Sequence, residues 1–243
     1  MTQIRASLFV TCLVDQLFPE VGESVVKLLR RYGVKVDFPL GQTCCGQPLF
    51  NSGFRKDTRK LGRRILESFA ESEYVVVPSG SCAAMIKIFY TELFKDDPIL
   101  SLEAKALSQK TYELSQFLVN VLGVTDTGST CNAKVTYHPA CHLTRELGVS
   151  SEPRILLKNV KGLEYIELPD SSTCCGFGGT FSVKYRQISE SMLDDKLENV
   201  SKTDAEILTS CDSSCLMHMR GAMIRRGVNI KTMHLAQILC GEE

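Results

Sequence analysis

Two pairs of adjacent cysteines, each followed by a glycine, are the feature that most constrains this chain. Each pair has one further cysteine well upstream and one well downstream. Corresponding cysteines lie 129, 130 and 133 residues apart (141 minus 12, 174 minus 44 and 215 minus 82). Two matched sets of four thiols indicate thiolate-ligated metal centres and favour iron–sulfur clusters. The first set is Cys12, Cys44, Cys45 and Cys82, and the second is Cys141, Cys174, Cys175 and Cys215.

The composition excludes several classes of protein. A chain of 243 residues can bury a sizeable core as one or two domains. Lys+Arg and Asp+Glu balance at 28 each, which predicts no basic face for a nucleic acid. No apolar run has the length of a membrane span, so an integral membrane protein is not expected. Eleven cysteines without a signal peptide point to a reducing compartment, where clustered thiols bind metals more often than they form disulfides.

The chain reads as an internal duplication. Besides the cysteines, residues Thr111–Leu118 match Thr232–Leu239 near the end of each half. The segment 124–133 is rich in Thr, Gly, Ser, Asp and Asn, and it is the natural linker between the halves. We therefore expect a first repeat over residues 1–126 and a second over residues 127–243.

Each half alternates short apolar strands with amphipathic helices, which predicts an α/β fold. We expect each half to form a small, mostly parallel sheet flanked by helices. Examples in the first half are a strand at Ala6–Val10, a helix at Glu20–Tyr32 that stops at Gly33, and a strand at Tyr74–Val77. All eight matched cysteines follow predicted strands, so they should converge at the carboxyl edges of the sheets, where such folds bind ligands.

Three chemistries compete for these thiols: an iron–sulfur cluster, structural zinc, and a metal-free dithiol redox site. Structural zinc usually takes ligands in close pairs such as Cys-x-x-Cys, on loops that need the metal to fold. Here well-formed strand–helix units separate the cysteines, which favours the cluster. A disulfide between adjacent cysteines would be strained.

The spacing Cys-x31-Cys-Cys-Gly followed by a distant cysteine, present twice, resembles the cysteine-rich CCG-domain family. The family includes the B subunit of heterodisulfide reductase and the iron–sulfur subunits of glycolate oxidase and anaerobic glycerol-3-phosphate dehydrogenase. The resemblance covers nearly the whole chain. Its specific matches are Thr43–Pro48, Tyr137–His142, Thr173–Gly179 and Ser214–Met217.

The resemblance implies one or two [4Fe-4S] clusters per chain, held by the eight matched cysteines. It also implies a cytoplasmic protein that supports the oxidation of L-lactate to pyruvate in a complex. The implied partners are a ferredoxin-type iron–sulfur protein and a small accessory protein.

The chain departs from the family pattern, which usually closes with Cys-x-x-Cys. Ser79 stands at that spacing before Cys82, and Asp212 stands at it before Cys215. Cys211 offers Cys-x3-Cys instead. Each half therefore has four strong ligands, and only the second half has a candidate fifth ligand.

Several residues near the cysteines are secondary candidates. His138 and His142 flank Cys141, where an imidazole could carry a proton or tune a cluster by hydrogen bonding. Arg145 and Arg186 could neutralise an anionic cluster or a carboxylate substrate. His234 aligns with Glu113 of the first half and is interpreted as structural.

The favoured hypothesis is an iron–sulfur electron-transfer subunit of an oxidoreductase complex, incomplete without its partners. One alternative is a subunit of a thiol–disulfide reductase of the heterodisulfide type. The other is a zinc-stabilised interaction module without catalysis.

Overall fold

Two four-stranded, all-parallel sheets organise the molecule, and the computed structural model describes residues 3–241. The first half forms one sheet and the second half forms the other, as the alternating pattern predicted. The strands are β1 (Arg5–Leu8), β2 (Lys35–Asp37), β3 (Tyr74–Val77), β4 (Thr111–Glu113), β5 (Lys134–Tyr137), β6 (Glu164–Ile166), β7 (Ile207–Ser210) and β8 (Lys231–His234).

Helices flank both sheets. The first half contains α1 (Cys12–Leu17), α2 (Pro19–Arg31), α3 (Gln47–Asn51), α4 (Arg55–Ser68), α5 (Gly80–Ala84), α6 (Tyr90–Leu93), α7 (Pro98–Lys110) and α8 (Leu114–Gln116). Two π-helical turns, Met85–Phe89 and Phe117–Val121, extend α5 and α8. The second half contains α9 (Cys141–Arg145), α10 (Ser151–Lys158), α11 (Phe181–Lys184), α12 (Arg186–Ser201), α13 (Ser213–Arg225) and α14 (Leu235–Cys240).

The two sheets have the same topology, with strand orders β2-β1-β3-β4 and β6-β5-β7-β8. Ala6 of β1 pairs with Val36 on one side and Tyr74 on the other. Val135 of β5 pairs in the same way with Tyr165 and Ile207. The expectation of a duplicated α/β fold is therefore confirmed at the level of strand order.

Helix α2 shows how local sequence specifies an element here. Pro19 occupies the first turn, where its missing N–H costs nothing, and Arg30 and Arg31 complement the dipole of the last turn. The side chains buried against the sheet recur at helical spacing, as an amphipathic helix requires. Gly33 ends the helix at a φ of 72°, a left-handed conformation that glycine adopts without strain.

One hydrophobic cluster contains side chains of both halves, and a second cluster lies in the first half. Leu8 and Val76 of the first sheet belong to the same buried cluster as Val135 and Leu208 of the second. Helix α2 packs on α14, and α10 packs on α8, so each half covers part of the other with equivalent helices. Arg31 stabilises this contact. Its guanidinium donates to the backbone carbonyl oxygens of Leu239 and Cys240 at the end of α14, the latter at 2.8 Å, and to that of Thr127 in the linker.

The helices are short relative to a lipid bilayer. None within residues 3–241 has both the length and the apolar character that crossing a membrane requires.

Candidate metal centres in the cleft between the halves

All eight matched cysteines line one cavity of about 350 Å³ between the halves. Each set lies at the carboxyl edge of its own sheet, as expected for parallel strands. The upstream cysteines, Cys12 and Cys141, are the first residues of α1 and α9. The downstream cysteines, Cys82 and Cys215, lie in the first turns of α5 and α13.

The thiols of each set lie close together without forming disulfides. The Sγ atoms of Cys12 and Cys44 are 3.8 Å apart, and those of Cys45 and Cys82 are 3.4 Å apart. In the second half, Cys141 and Cys174 are separated by 4.0 Å. All eleven cysteines are free thiols. Sulfur atoms at these separations can bind to one metal centre. Thiolates are soft donors that bind iron and zinc.

Glycine follows each cysteine pair for a steric and an electrostatic reason. Gly46 and Gly176 have φ values of 83° and 82°, in the left-handed region. Each turn brings the glycine N–H to 3.4 Å from the Sγ of the first cysteine of the pair, Cys44 or Cys174. At Gly176 a Cβ would lie 2.6 Å from the carbonyl oxygen of Ser189, so only glycine fits.

Hydrogen bonding lowers the pKa of one thiol in each set, Cys44 in the first and Cys174 in the second. Cys44 accepts from the thiol of Cys12, and this lowers its pKa to about 3. The hydrogen-bond contact between the thiols of Cys174 and Cys141 lowers the pKa of Cys174 to about 2. Metal binding requires deprotonated sulfur, so each set holds at least one thiol poised for it.

The two residues at the Cys-x-x-Cys positions, Ser79 and Asp212, both line the cavity and are hydrogen-bonded to each other. Ser79 caps α5 and Asp212 caps α13. One carboxylate oxygen of Asp212 accepts from the hydroxyl of Ser79 at 3.0 Å and from the N–H of Ser81 at 2.9 Å. The other oxygen accepts from Ser214. In the sequence, Asp212 stands where the family pattern has a cysteine, and no local feature indicates this link between the halves.

Cys211, the candidate fifth ligand of the second half, does not line the cavity. Its thiol is fully buried and lies 3.5 Å from the hydroxyl of Tyr137. Burial raises its pKa well above the ordinary value, which disfavours the thiolate.

The other candidates divide between the cavity and the surface. His142 lines the cavity, with Nδ1 3.6 Å from the Sγ of Cys141. Arg186 lies on the exposed surface in an ion pair with Glu190, and Arg145 donates to the carbonyl oxygen of Ser172. Neither arginine lines the cavity. His234 caps α14 just as Glu113 caps α8, which agrees with a structural role.

Lys196 is a buried cation that the sequence analysis did not identify. It lies on α12 with no exposed surface, and its Nζ donates to the carbonyl oxygens of Ser171 and Asp170 at 3.1 and 3.4 Å. The thiols of Cys174, Cys175 and Cys215 are close enough to act electrostatically on its pKa, which burial lowers overall. The buried residues of α4, the equivalent helix, are all uncharged. The two sets of cysteines therefore have different electrostatic surroundings.

The family model of the cysteine-rich domain (CCG) matches residues 6–87 and 135–220, one match in each half. This duplicated α/β chain therefore belongs to the cysteine-rich domain family. Its relatives include lactate utilization protein A of Bacillus subtilis (strain 168), with 54% identity over 97% of this chain and 99% of that protein. The Halalkalibacterium halodurans protein of that name is 52% identical over 99% of this chain and 98% of its own length.

Among solved structures, glutamate racemase from Francisella tularensis shows only a weak likeness. It covers 98% of this chain and 78% of its own, with 11% identity and a TM-score of 0.37. A likeness of this degree carries no conclusion about function.

Proposed function

We propose that this chain is an iron–sulfur electron-transfer subunit of a cytoplasmic oxidoreductase complex that supports the oxidation of L-lactate to pyruvate. The observation that carries the proposal is the convergence of all eight matched cysteines on one cavity. The substrate is inferred from the name of two relatives that are at least half identical over nearly the whole chain. The partners we propose are a ferredoxin-type iron–sulfur protein and a small accessory protein.

The donor chemistry fits an iron–sulfur cluster in each half. We propose that each is a [4Fe-4S] cluster. The first would be held by Cys12, Cys44, Cys45 and Cys82, and the second by Cys141, Cys174, Cys175 and Cys215. Four thiols per set match the cysteine ligation of such clusters, and the cavity has room for inorganic sulfide. When bound, a cluster supplies one-electron transfer.

The protein's own contribution is to hold and tune that chemistry. The N–H groups of Gly46 and Gly176 face the cysteine sulfurs, and hydrogen bonds to sulfur adjust the reduction potential of a cluster. The cavity places both sets in one cleft between the halves. This arrangement suits electron transfer between two centres and to a partner at the mouth of the cleft.

Zinc is the second candidate, and one observation favours it. The Sγ separations of 3.4 to 4.0 Å are close to the roughly 3.8 Å edge of a tetrahedron with Zn–S bonds of about 2.3 Å. In that case the chain would be a zinc-stabilised interaction module.

The deciding measurement is iron, zinc and acid-labile sulfide in anaerobically purified protein, with EPR spectra before and after dithionite. We expect about four or about eight irons per chain with matching sulfide. Zinc without sulfide, or no metal after anaerobic reconstitution, would contradict the electron-transfer proposal.

Substitutions assign the metal to each half. We expect Cys45→Ser to remove the iron of the first set and Cys175→Ser that of the second, because each loses a buried ligand. Cys131→Ser is the matched control, since Cys131 does not line the cavity. Full iron content in both ligand variants would show that the cysteines are not the ligands.

A further inference from the structure

His138 is a buried polar side chain without a partner. It is 1% exposed, and neither ring nitrogen has a hydrogen-bond partner among the described residues. An imidazole buried in this way loses its hydrogen bonds to water and gains none in return, which is unfavourable. Buried polar groups nearly always have a hydrogen-bond partner. An unpartnered imidazole beside the second set of cysteines therefore indicates a position for a ligand.

Packing alone does not require an imidazole at this position. The backbone N–H of His138 donates to Thr209 O at 2.8 Å, and in the first half Phe9 makes the equivalent bond to Val76 O at 2.9 Å. Phe9 is fully buried and packs its ring on Phe69. An apolar ring therefore fills the same place in the duplicated half, and the nitrogens of His138 are the difference between the two.

The ring of His138 points at the second set of cysteines. One of its nitrogens and the Sγ atoms of Cys175 and Cys215 all lie within 4.8 Å of one another, and all three residues are buried. These are two thiols and an imidazole, which are ordinary ligands of iron and zinc. Within the described residues this is the single group of three such donors gathered around one point.

The nearby carboxylate cannot take this role without breaking the contact between the halves. Both oxygens of Asp212 already accept hydrogen bonds, from Ser79 and Ser81 on one side and from Ser214 on the other. His138 directly follows β5, and its ring nitrogens are free of such bonds.

We propose that His138 is a metal ligand of the second centre, binding through a ring nitrogen the same metal atom as Cys175 or Cys215. This inference rests on the proposed function, since it assumes that the second set holds a metal. It makes the two centres of the chain chemically different: the first has sulfur ligands only, and the second has mixed sulfur and nitrogen ligation.

The test is X-ray absorption at the edge of whichever metal the purified protein holds, together with pulsed EPR of anaerobic protein labelled with ¹⁵N in histidine. In the Cys45→Ser background, which leaves the second set alone, we expect a nitrogen scatterer at bonding distance and a strongly coupled histidine nitrogen. His138→Phe, which copies the first half, should retain sulfur scatterers and lose both nitrogen signals. His142→Phe is the control and should keep them, although His142 lies against Cys141.

The outcomes separate this inference from the proposed function. An all-sulfur shell in protein that contains iron and sulfide overturns the role of His138 and leaves the electron-transfer proposal intact. Loss of the nitrogen signal in His142→Phe and not in His138→Phe also overturns it. Zinc without sulfide overturns the proposed function, and the zinc edge then decides the role of His138. Protein that binds no metal overturns both. The protein that retains His138 already shows whether nitrogen is bound to the metal. A poorly folded His138→Phe variant therefore does not prevent a decision.

Discussion

At the scale of single residues, two ionisable side chains, Glu113 and Lys196, are buried although ionisable groups usually lie at the surface. Glu113 is fully buried at the end of β4, where its carboxylate accepts from the N–H of Ser115 at 2.8 Å and from its hydroxyl. Burial raises its pKa to about 7, despite those hydrogen bonds. Lys196 is buried beside the second cysteine set. We expect Glu113 to affect the stability of the protein and Lys196 to affect the second centre.

Glu113 makes the stability of the protein depend on pH. The folded chain binds this proton more tightly than the unfolded chain, so the free energy of unfolding falls as pH rises from about 4.5 through about 7. We expect Glu113→Gln, which keeps an acceptor for the cap of α8, to be more stable than the parent at pH 8 by up to about 3 kcal/mol and equal to it at pH 4.5. Denaturation across this pH range measures the difference. Exposed Glu103→Gln is the control, and an equal gain at both pH values would refute the assignment.

Lys196 should tune the second centre. A nearby positive charge stabilises the more negative, reduced state of a cluster, so Lys196→Met should lower its reduction potential by an amount on the order of tens of millivolts. Lys202 directly follows the same helix, but its side chain is half exposed. Lys202→Met should therefore leave the reduction potential of the second centre unchanged. EPR-monitored redox titration of both variants provides the comparison. Equal potentials for Lys196→Met and the parent would mean that the buried charge does not act on the centre.

At the scale of elements, the close approach of α5 and α9 brings the two halves together beside the cysteines. A Cβ on Gly80 would lie 2.6 Å from the Cβ of Leu143, 3.1 Å from its Cα and 3.2 Å from its backbone nitrogen. Since backbone atoms cannot move aside cheaply, this contact depends on the missing side chain. Gly221 of α13 is different, because an added Cβ would meet only the flexible end of Arg225, at 3.5 Å.

Alanine at these two glycines should therefore have opposite effects. We expect Gly80→Ala to destabilise the fold by about 1–3 kcal/mol through overpacking. Gly221→Ala should stabilise it by about 0.5–1 kcal/mol, because glycine inside a helix costs conformational entropy. Thermal unfolding should show a lower Tm for the first variant and a higher Tm for the second. A Gly80→Ala protein as stable as the parent would show that α5 and α9 can separate without cost.

At the scale of the whole molecule, the duplicated halves are in extensive contact. One buried cluster contains side chains from both sheets, α2 packs on α14, and Asp212 bonds to Ser79 across the cleft. Each half alone would expose apolar surface that the other half covers.

We propose the boundary between residues 126 and 127, and we expect neither half to fold by itself. Residues 1–126 and 127–243 expressed separately should lack cooperative unfolding and bind little metal, whereas the two fragments produced together should recover both properties. Circular dichroism melts and metal analysis of each fragment and of the pair test this. A separate half that unfolds cooperatively would show that it is an independent domain.

The sequence by itself determined the class of fold and the set of candidate ligands. Strand β3, Tyr74–Val77, was predicted with its observed bounds, because a short run of β-branched residues is a local signal. Helix α2 was predicted to within a residue at each end, since its apolar period and terminal glycine are also local. The matched cysteine spacings indicated the duplication and, with the rule for parallel sheets, the edge at which the thiols lie.

Only the tertiary structure decided how these parts meet. Strands β4 and β8 were matched as repeats but not predicted as strands, because three or four residues that lead directly into a helix show no periodicity. The cavity shared by both cysteine sets, the bond from Asp212 to Ser79, the unpartnered ring of His138 and the burial of Lys196 join residues distant in sequence. The cavity and the bond from Asp212 to Ser79 arise from the packing of the two halves against each other, whereas the surroundings of His138 and Lys196 arise from the packing within the second half. No local pattern of residues encodes either kind of contact.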